Sequence, residues 1–503
     1  MSNNQEVSQT TWKSPAGYIW SLIGSAVGFA NILSFSAQVY KNGGGAFLIP
    51  YCIALFLLGI PLLILEGVIG NRTKLPLVSS YGTVWGKVGK TIGWLAVLSC
   101  LSIGAFYVTL TGYSVAYTYF SAINAIPVDS KDFFVNSFLK TTPSLSEFGQ
   151  FSLPIFMSAV AVATVTFFVL VRDVRNGIER ICSIFMPLLA VIITSFAIIV
   201  TFLPGGASGW IYYLRPDFTK LLNPSLWRDV FGQLFFSLSL GLGIIVGYSR
   251  HTGKKMNVAR AMLYVALGDF AVSFIAGAAI FGCLAHISYM QQIPFDSILT
   301  TDSTFEIGFV VFPQIFKFFG PVLAQWIGVI FFFCIFIAGI TGVFSIVESI
   351  AGNIEVEFKT TRQRAVTTTI LSLMSLALLF CMGNASHLIE ALVPMVIGTN
   401  MLIGGLALII AFQYACLETR AEPVWQKKGR LNFYGFCLRY VAPLLLGLIL
   451  IGNLSQEFHA FTLEKGVRWT WFIAALFIAS GLAYFAKSTK KTPKHVIEFE
   501  VAS

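Results

Sequence analysis

Long apolar runs recur along the whole chain, and each is about long enough to cross a lipid bilayer as an α-helix, which takes about 20 residues. Of the 503 residues, 56% are hydrophobic and 11% are charged, whereas soluble domains carry about 25% charged residues. The runs occupy residues 17–39, 45–70, 90–122, 152–171, 181–204, 226–249, 258–288, 318–350, 365–383, 387–412, 434–453 and 467–487. They predict an all-α integral membrane protein with twelve transmembrane helices, and the composition excludes a soluble enzyme.

Lysine and arginine collect in every second loop when the N-terminus is placed inside the cell. The richest segments are residues 72–90, 250–260, 420–439 and 487–494. Because basic loops stay on the cytoplasmic side, we predict a multi-pass protein of the cell (inner) membrane with both termini cytoplasmic. The net charge of +10 then reflects topology. Basic residues spread over many short loops do not indicate nucleic-acid binding.

Small residues interrupt two of the apolar runs at mid-length, at residues 24–31 of the first and 237–243 of the sixth. In hydrocarbon, an unwound segment survives only where its freed N–H and C=O groups face protein, ligand or ions. The N-terminal ends of half-helices suit a carboxylate, and the C-terminal carbonyls suit Na⁺. The two interruptions therefore predict a binding site near the middle of the membrane.

Runs one to five and six to ten form two halves, and each half begins with an interrupted run. This arrangement is typical of a 5+5 inverted repeat with broken helices 1 and 6. The predicted division is a cytoplasmic N-terminus at 1–16, a first repeat at 17–204, a second repeat at 205–412, helices 11 and 12 at 413–487, and a cytoplasmic tail at 488–503.

Five motifs occur in an order that resembles the neurotransmitter:sodium symporter family. They are residues 24–31, residues 42–51, Gly59-Ile60-Pro61 with Glu66, residues 177–180, and residues 233–243. The short loop between the third and fourth runs lacks a cysteine pair, which is more similar to the prokaryotic amino-acid transporters than to animal neurotransmitter carriers. The resemblance implies Na⁺-coupled uptake by alternating access, with Na⁺ as the coupling ion and no organic cofactor.

The resemblance also implies a pocket for an α-amino acid. Carriers of amines without a carboxylate have Asp at the position of Gly28, whereas glycine leaves room for the carboxylate of the substrate itself. The implied substrate-binding residues are Ser25, Ala26, Gly28, Phe29, Ala30, Ile103, Tyr107, Phe236, Ser237, Ser239, Leu242, Gly342 and Ile346. The part that would hold the substrate side chain is mostly apolar, which favours a hydrophobic amino acid.

Two sodium sites follow from the same resemblance, and hard oxygen ligands are what such sites need. The first would use Ala26, Asn31, Ser237 and Asp269. The second would use Gly24, Val27, Ala338 and Thr341. Gly342 stands where the family usually has a second hydroxyl, so the sequence leaves open whether one or two Na⁺ ions bind.

Inserting an ionisable side chain at the centre of a transmembrane helix costs about 2.5 to 3.5 kcal/mol, so each such residue is a candidate for a functional role. Tyr51, Gln233, Ser237 and Ser273 match the chloride ligands of chloride-dependent members. Asp269 either supplies the fixed carboxylate that replaces chloride or is a protonated acid that mimics asparagine. Glu66 is predicted to have a structural role, accepting hydrogen bonds from the unwound part of the sixth run.

The predicted gates are Trp12, Lys13, Tyr107, Phe236 and Glu348. The arginine residues that the family usually has at its outer and inner gates are replaced by Ser34 and Gln9. Lys13 and Glu348 either form a substitute inner pair or lie solvated in a cytoplasmic vestibule. These departures leave other functions open, namely a non-transporting amino-acid sensor, a leak pathway on the same scaffold, or a symporter of another small zwitterion.

Overall fold

The computed structural model describes residues 11–127, 129–253, 256–298, 307–317, 320–420, 422–427, 430–458 and 462–486. Its main helices are α1 (Pro15–Ala26), α2 (Ala30–Lys41), α3 (Gly45–Thr73), α4 (Leu77–Ala122), α5 (Leu153–Leu170), α6 (Arg175–Thr201), α7 (Pro224–Ser237), α8 (Ile244–Ser249), α9 (Val258–Gln291), α10 (Pro321–Phe358), α11 (Arg362–Cys381), α12 (Ala385–Ala415), α13 (Phe433–Phe458) and α14 (Leu463–Phe485). Short helical pieces lie at Ser130–Asp132, Phe133–Phe138, Gly206–Ser208, Gly209–Leu214, Phe218–Leu222, Phe295–Ser297, Ile307–Val311, Phe312–Phe316 and Leu417–Arg420. A two-stranded antiparallel ribbon pairs β1 (Gln426–Lys427) with β2 (Arg430–Leu431).

The prediction of an all-α membrane protein is confirmed. Within the described ranges, ten helices are long and apolar enough to cross a membrane, or eleven if α1 and α2 count as one bent span. The sixth predicted run is the pair α7 and α8, and each half is shorter than a span. The predicted count of twelve is therefore approximate. The boundaries of the two repeats stay a prediction, and residues 1–10, Gln9 among them, and the tail 488–503 lie outside the described residues.

Both predicted interruptions are present. The first separates α1 from α2, whose axes are bent by 61°. Val27 leaves the helix with extended backbone, and the Asn31 side-chain oxygen accepts a hydrogen bond from the freed Gly28 amide at 2.8 Å. A side chain therefore satisfies a backbone donor that the helix cannot, as a buried break requires.

The second interruption, between α7 and α8, depends on left-handed backbone. Ser239, Gly241 and Gly243 have φ angles of 52°, 80° and 75°. A Cβ atom at Gly241 would lie 2.4 Å from the Met401 carbonyl oxygen of α12, so this position needs glycine for both its φ angle and its close approach.

The core is built from the interrupted helices and the long helices that surround them. Helix α10 packs along α4, while α9 packs against α1, α3 and α6. Helix α14 lies outside this group and packs on α4 and α12. The result places both unwound segments inside protein, with α4, α9 and α10 around them.

Candidate binding site between the two broken helices

A small cavity lies where the two unwound segments face each other. Its lining residues come from α1, α2, α4, α7, α8, α10 and the unwound segments: Ser25, Ala26, Gly28, Ala30, Ile103, Tyr107, Phe236, Ser239, Leu242, Ile244, Gly342, Ser345 and Ile346. Eleven of these thirteen were predicted. Phe29 and Ser237 were also predicted and lie beside the cavity rather than in its lining, whereas Ile244 and Ser345 were missed.

Tyr107 lies over two glycine residues of this cavity. Its hydroxyl accepts a hydrogen bond from the Phe29 amide at 3.4 Å, and its ring packs edge-on against Phe29. A Cβ atom at Gly28 would lie 2.1 Å from the Tyr107 hydroxyl oxygen, and one at Gly342 would lie 2.9 Å from the same oxygen. The family usually has a hydroxyl residue at position 342, and the glycine found here leaves space for the Tyr107 ring.

The residues predicted for the first sodium site form one buried polar cluster. The Asn31 side-chain amide donates to Asp269 Oδ1 at 2.6 Å, to Ser273 Oγ at 2.8 Å and to Ser237 Oγ at 3.0 Å. Ser237 Oγ also lies 3.0 and 2.9 Å from the two Asp269 carboxylate oxygens. All four side chains are fully buried. Ala26 is the last residue of α1 and lines the cavity.

The residues predicted for the second sodium site also lie together. Gly24 is in the last turn of α1, and a Cβ atom there would lie 3.3 Å from Cβ of Thr341 on α10. The Thr341 hydroxyl donates to the carbonyls of Ile337 and Ala338 at 3.0 and 3.2 Å. The last carbonyls of a helix lack donors from the next turn and carry partial negative charge, so the end of α1 at Val27 suits a cation.

The predicted chloride ligands are only partly brought together. Ser237 and Ser273 share the cluster with Asp269. Gln233 instead donates to the Ala30 carbonyl at 2.7 Å and accepts from Ser34 at 2.8 Å. The Tyr51 hydroxyl is buried and lies beside the Ser237 and Asp269 side chains of the same cluster. Asp269 thus lies at the centre of this polar region, whereas Gln233 binds the backbone at the start of α2, next to the first interruption.

Glu66 of α3 makes the contact predicted for it. Its Oε1 atom accepts a hydrogen bond from the Gly241 amide at 2.7 Å, and the side chain is fully buried. A carboxylate from a neighbouring helix therefore satisfies the unwound backbone between α7 and α8, as the break requires.

The segment before α1 is held to the rest of the protein. The Trp12 indole donates to the Tyr248 carbonyl at 3.0 Å, and the Trp12 amide donates to the His251 carbonyl at 3.2 Å. The amides of Lys13 and Ser14 donate to the Glu179 carboxylate at 2.7 and 3.1 Å. Glu179 lies in the predicted motif 177–180 but was given no role, so it is a residue that sequence reasoning missed.

The predicted inner pair of Lys13 with Glu348 is wrong for this structure. Glu348 is 1% exposed, which also excludes a solvated position. It pairs instead with Arg250, at 3.4 Å, and with Arg362 of α11. The Lys13 side chain is exposed, and its contact with Glu179 is made by the main chain. Arg250 and Arg362 were interpreted from sequence only as topology signals, because their partner lies on a different helix.

Glu348→Gln is expected to destabilise the protein strongly, because it leaves the buried guanidinium group of Arg250 and the partly buried one of Arg362 without their carboxylate. Removing one member of a buried ion pair costs about 3 to 5 kcal/mol. Glu355→Gln is the matched control, since Glu355 lies 4.0 Å from Arg362 and is 34% exposed, and such exposed pairs contribute about 0 to 1 kcal/mol. Denaturant unfolding of both variants in detergent measures the difference. Equal losses of stability in the two variants would contradict a special role for Glu348.

These features define a class of protein. A cavity between the unwound segments of two broken helices, with a cluster of buried oxygen atoms nearby, is typical of a secondary transporter.

Comparisons with known proteins agree with this class. The sequence model of the sodium:neurotransmitter symporter family matches residues 9–130 and 125–488. An uncharacterized sodium-dependent transporter of Methanocaldococcus jannaschii is 34% identical over 385 residues, which are 76% of this chain and 76% of that protein. The sodium-dependent nutrient amino acid transporter 1 of Drosophila pseudoobscura pseudoobscura is 26% identical over 407 residues, 71% of this chain and 61% of that protein.

A solved structure has the same fold. It is the crystal structure of MhsT in complex with L-phenylalanine, with a TM-score of 0.76 and 24% identity, covering 88% of this chain and all of that one. The chain belongs to the sodium:neurotransmitter symporter family. It is therefore a multi-pass, sodium-dependent membrane transporter and not an enzyme.

Proposed function

We propose that this protein imports an α-amino acid together with Na⁺ by alternating access, and that the substrate side chain is hydrophobic. The observation that carries the proposal is the position of Gly28 in the cavity, next to the Phe29 amide and the Tyr107 hydroxyl. Without an acidic side chain at residue 28, the Phe29 amide and the Tyr107 hydroxyl can donate hydrogen bonds to a substrate carboxylate once the Tyr107 side chain moves aside. The Drosophila relative is named as an amino acid transporter, which supports the same substrate class.

The substrate side chain would lie against an apolar wall. Ile103, Leu242 and Ile346 line the cavity with apolar side chains. The cavity has a volume of about 30 Å³, enough for about two water molecules. A larger substrate therefore requires lining side chains to move, and we propose that Tyr107 and Phe236, both predicted gate residues, are among them.

Sodium would bind at the two oxygen-rich positions described above. For the first position we propose that Asp269 is ionised, because each of its carboxylate oxygens accepts a hydrogen bond, Oδ1 from the Asn31 amide and Oδ2 from the Ser237 hydroxyl. For the second, Thr341 and the end of α1 supply ligands without a hydroxyl from residue 342. We propose that both termini face the cytoplasm of a cell whose inner membrane holds the protein.

Substrate binding is expected to require Na⁺. Replacing Na⁺ by K⁺ or choline should lower the affinity for a hydrophobic amino acid at least ~10-fold, about 1.4 kcal/mol, because the cation and the substrate carboxylate neutralise each other in a site of low dielectric constant. Scintillation proximity binding with the purified protein measures this. Equal affinity in all three salts would refute sodium coupling.

Measuring uptake into proteoliposomes under an imposed Na⁺ gradient distinguishes a transporter from a sensor. A symporter accumulates the amino acid above its external concentration and stops when the gradient is dissipated. A sensor binds without accumulation, and a leak pathway equilibrates the amino acid without regard to Na⁺. The replacement of the usual outer arginine by Ser34, which bonds Gln233 rather than an acidic partner, is the observation that makes this comparison necessary.

A further inference from the structure

A second cavity lies away from the proposed substrate site, between α2, α6, α9 and α10. Its volume is about 270 Å³, and its lining is almost entirely apolar. Buried residues form its floor, among them Ile32 of α2, Ala279 of α9 and Cys334 of α10. None of the residues that line it also lines the first cavity.

The mouth of this cavity opens on the lateral surface of the helix bundle, between α6 and α10. Val191 and Ile199 of α6 and Ile330 of α10 line the cavity and are 63%, 57% and 49% exposed. These helices are long and apolar enough to span a membrane. The medium at the mouth is therefore the hydrocarbon of the bilayer rather than water.

We propose that this cavity binds one acyl chain of a bilayer phospholipid. An apolar cavity of about 150 Å³ stays dry and takes up a hydrocarbon such as benzene, and this one is nearly twice that size. Water gains few hydrogen bonds on such a lining. A flexible methylene chain is the apolar ligand that the bilayer presents directly at the mouth.

The floor of the acyl-chain cavity connects it to the ion sites. Ile32 directly follows Asn31, and Cys334 lies one helical turn before Ala338 on α10. A chain seated between α2 and α10 thus touches the elements that carry ligands of both proposed sodium sites. We expect its occupancy to alter the rate of uptake, a consequence that rests on the proposed function, whereas lipid binding itself does not.

Photo-crosslinking tests the proposal directly. The full-length protein is reconstituted in phosphatidylethanolamine and phosphatidylglycerol vesicles that contain a phospholipid with a diazirine near the end of one acyl chain. After illumination, peptide mass spectrometry should find adducts at Phe196 and Ala279 inside the cavity. Adducts at Ile473 and Phe477, which are 64% and 80% exposed on α14, report ordinary contact with lipid. Wild-type adducts confined to such exposed residues would overturn the proposal without any variant.

A filling variant and its matched control complete the test. Ala279→Phe should lower the adducts at Phe196 at least ~five-fold, because its ring takes the space of the chain, while the α14 adducts stay constant. Ala474→Phe makes the same substitution at an exposed position of α14 and should leave the cavity adducts unchanged. Unchanged Phe196 adducts in Ala279→Phe would contradict the proposal.

A third experiment replaces the phospholipid probe with a fatty acid that carries a diazirine. Adducts formed by the fatty acid but not by the phospholipid would show that free fatty acid is the ligand instead. None of these readouts needs transport, so a failure of the proposed function is recognised separately by the uptake assay.

Discussion

Gly28→Asp is expected to abolish binding of the amino acid, with a loss of affinity of roughly a thousandfold. Two like charges about 4 Å apart repel by about 4 kcal/mol at an effective dielectric constant of about 20, and each 1.4 kcal/mol changes affinity about tenfold. The new carboxylate would occupy the place proposed for the carboxylate of the substrate. Equilibrium binding of a radiolabelled hydrophobic amino acid in saturating Na⁺ measures the loss.

The structure shows that this variant needs controls, because any side chain at residue 28 meets Tyr107. The Cβ atom would lie 2.1 Å from the Tyr107 hydroxyl oxygen but 3.4 Å from the ring carbon that bears it. Tyr107→Phe removes that oxygen and makes the space for a methyl group. Gly28→Ala in the Tyr107→Phe background should therefore bind about as well as Tyr107→Phe alone. Gly28→Asp in the same background should still fail, and restored binding there would place the substrate carboxylate elsewhere.

Asp269→Asn is expected to lower Na⁺ affinity at least ~10-fold and to make uptake respond to chloride. A buried carboxylate near Na⁺ contributes several kcal/mol of attraction, partly offset by its own desolvation. Wild-type uptake should be equal in chloride and gluconate, because Asp269 supplies the fixed negative charge. Sodium titrations of substrate binding and uptake in the two anions measure both effects.

Ser273→Ala is the matched control for Asp269→Asn. It removes one hydroxyl of the same cluster, which accepts from Asn31 and donates to the Asp269 carbonyl, but it keeps the carboxylate. Its uptake should remain independent of chloride. A chloride requirement in the wild type, or full Na⁺ affinity in Asp269→Asn without chloride, would show that Asp269 acts as a neutral substitute for asparagine.

Much of the site could be predicted because its chemistry is local in the chain. The breaks at 24–31 and 237–243 are set by glycine and small polar residues, and a break at membrane depth must face a ligand or a polar partner whatever the surrounding helices do. The resemblance then assigned residues on other helices, such as Ile103 and Ile346. Ile244 and Ser345, which were missed, neighbour predicted positions and line the cavity only through the exact rotation of α8 and α10.

Other features depended on packing. The sequence shows that Gly342 lacks the usual hydroxyl, but only the structure shows the Tyr107 ring against it. Gln233 has the side chain expected of a chloride ligand, yet it is directed to Ala30 and Ser34. A long side chain can reach several partners within a few ångströms, and its sequence position does not select among them.

The sequence by itself determined the membrane class, the order of the spans and the two interruptions, because apolar length and glycine placement act through the backbone and hold in any arrangement of neighbours. The family followed from the resemblance of five ordered motifs. Tertiary structure alone decided the partners of the charged groups. Glu348 pairs with Arg250 and Arg362 instead of Lys13, and Glu179 holds the segment before α1. A buried charge must be compensated by whichever opposite charge the packed helices bring within reach, and that depends on helix position and not on spacing along the chain.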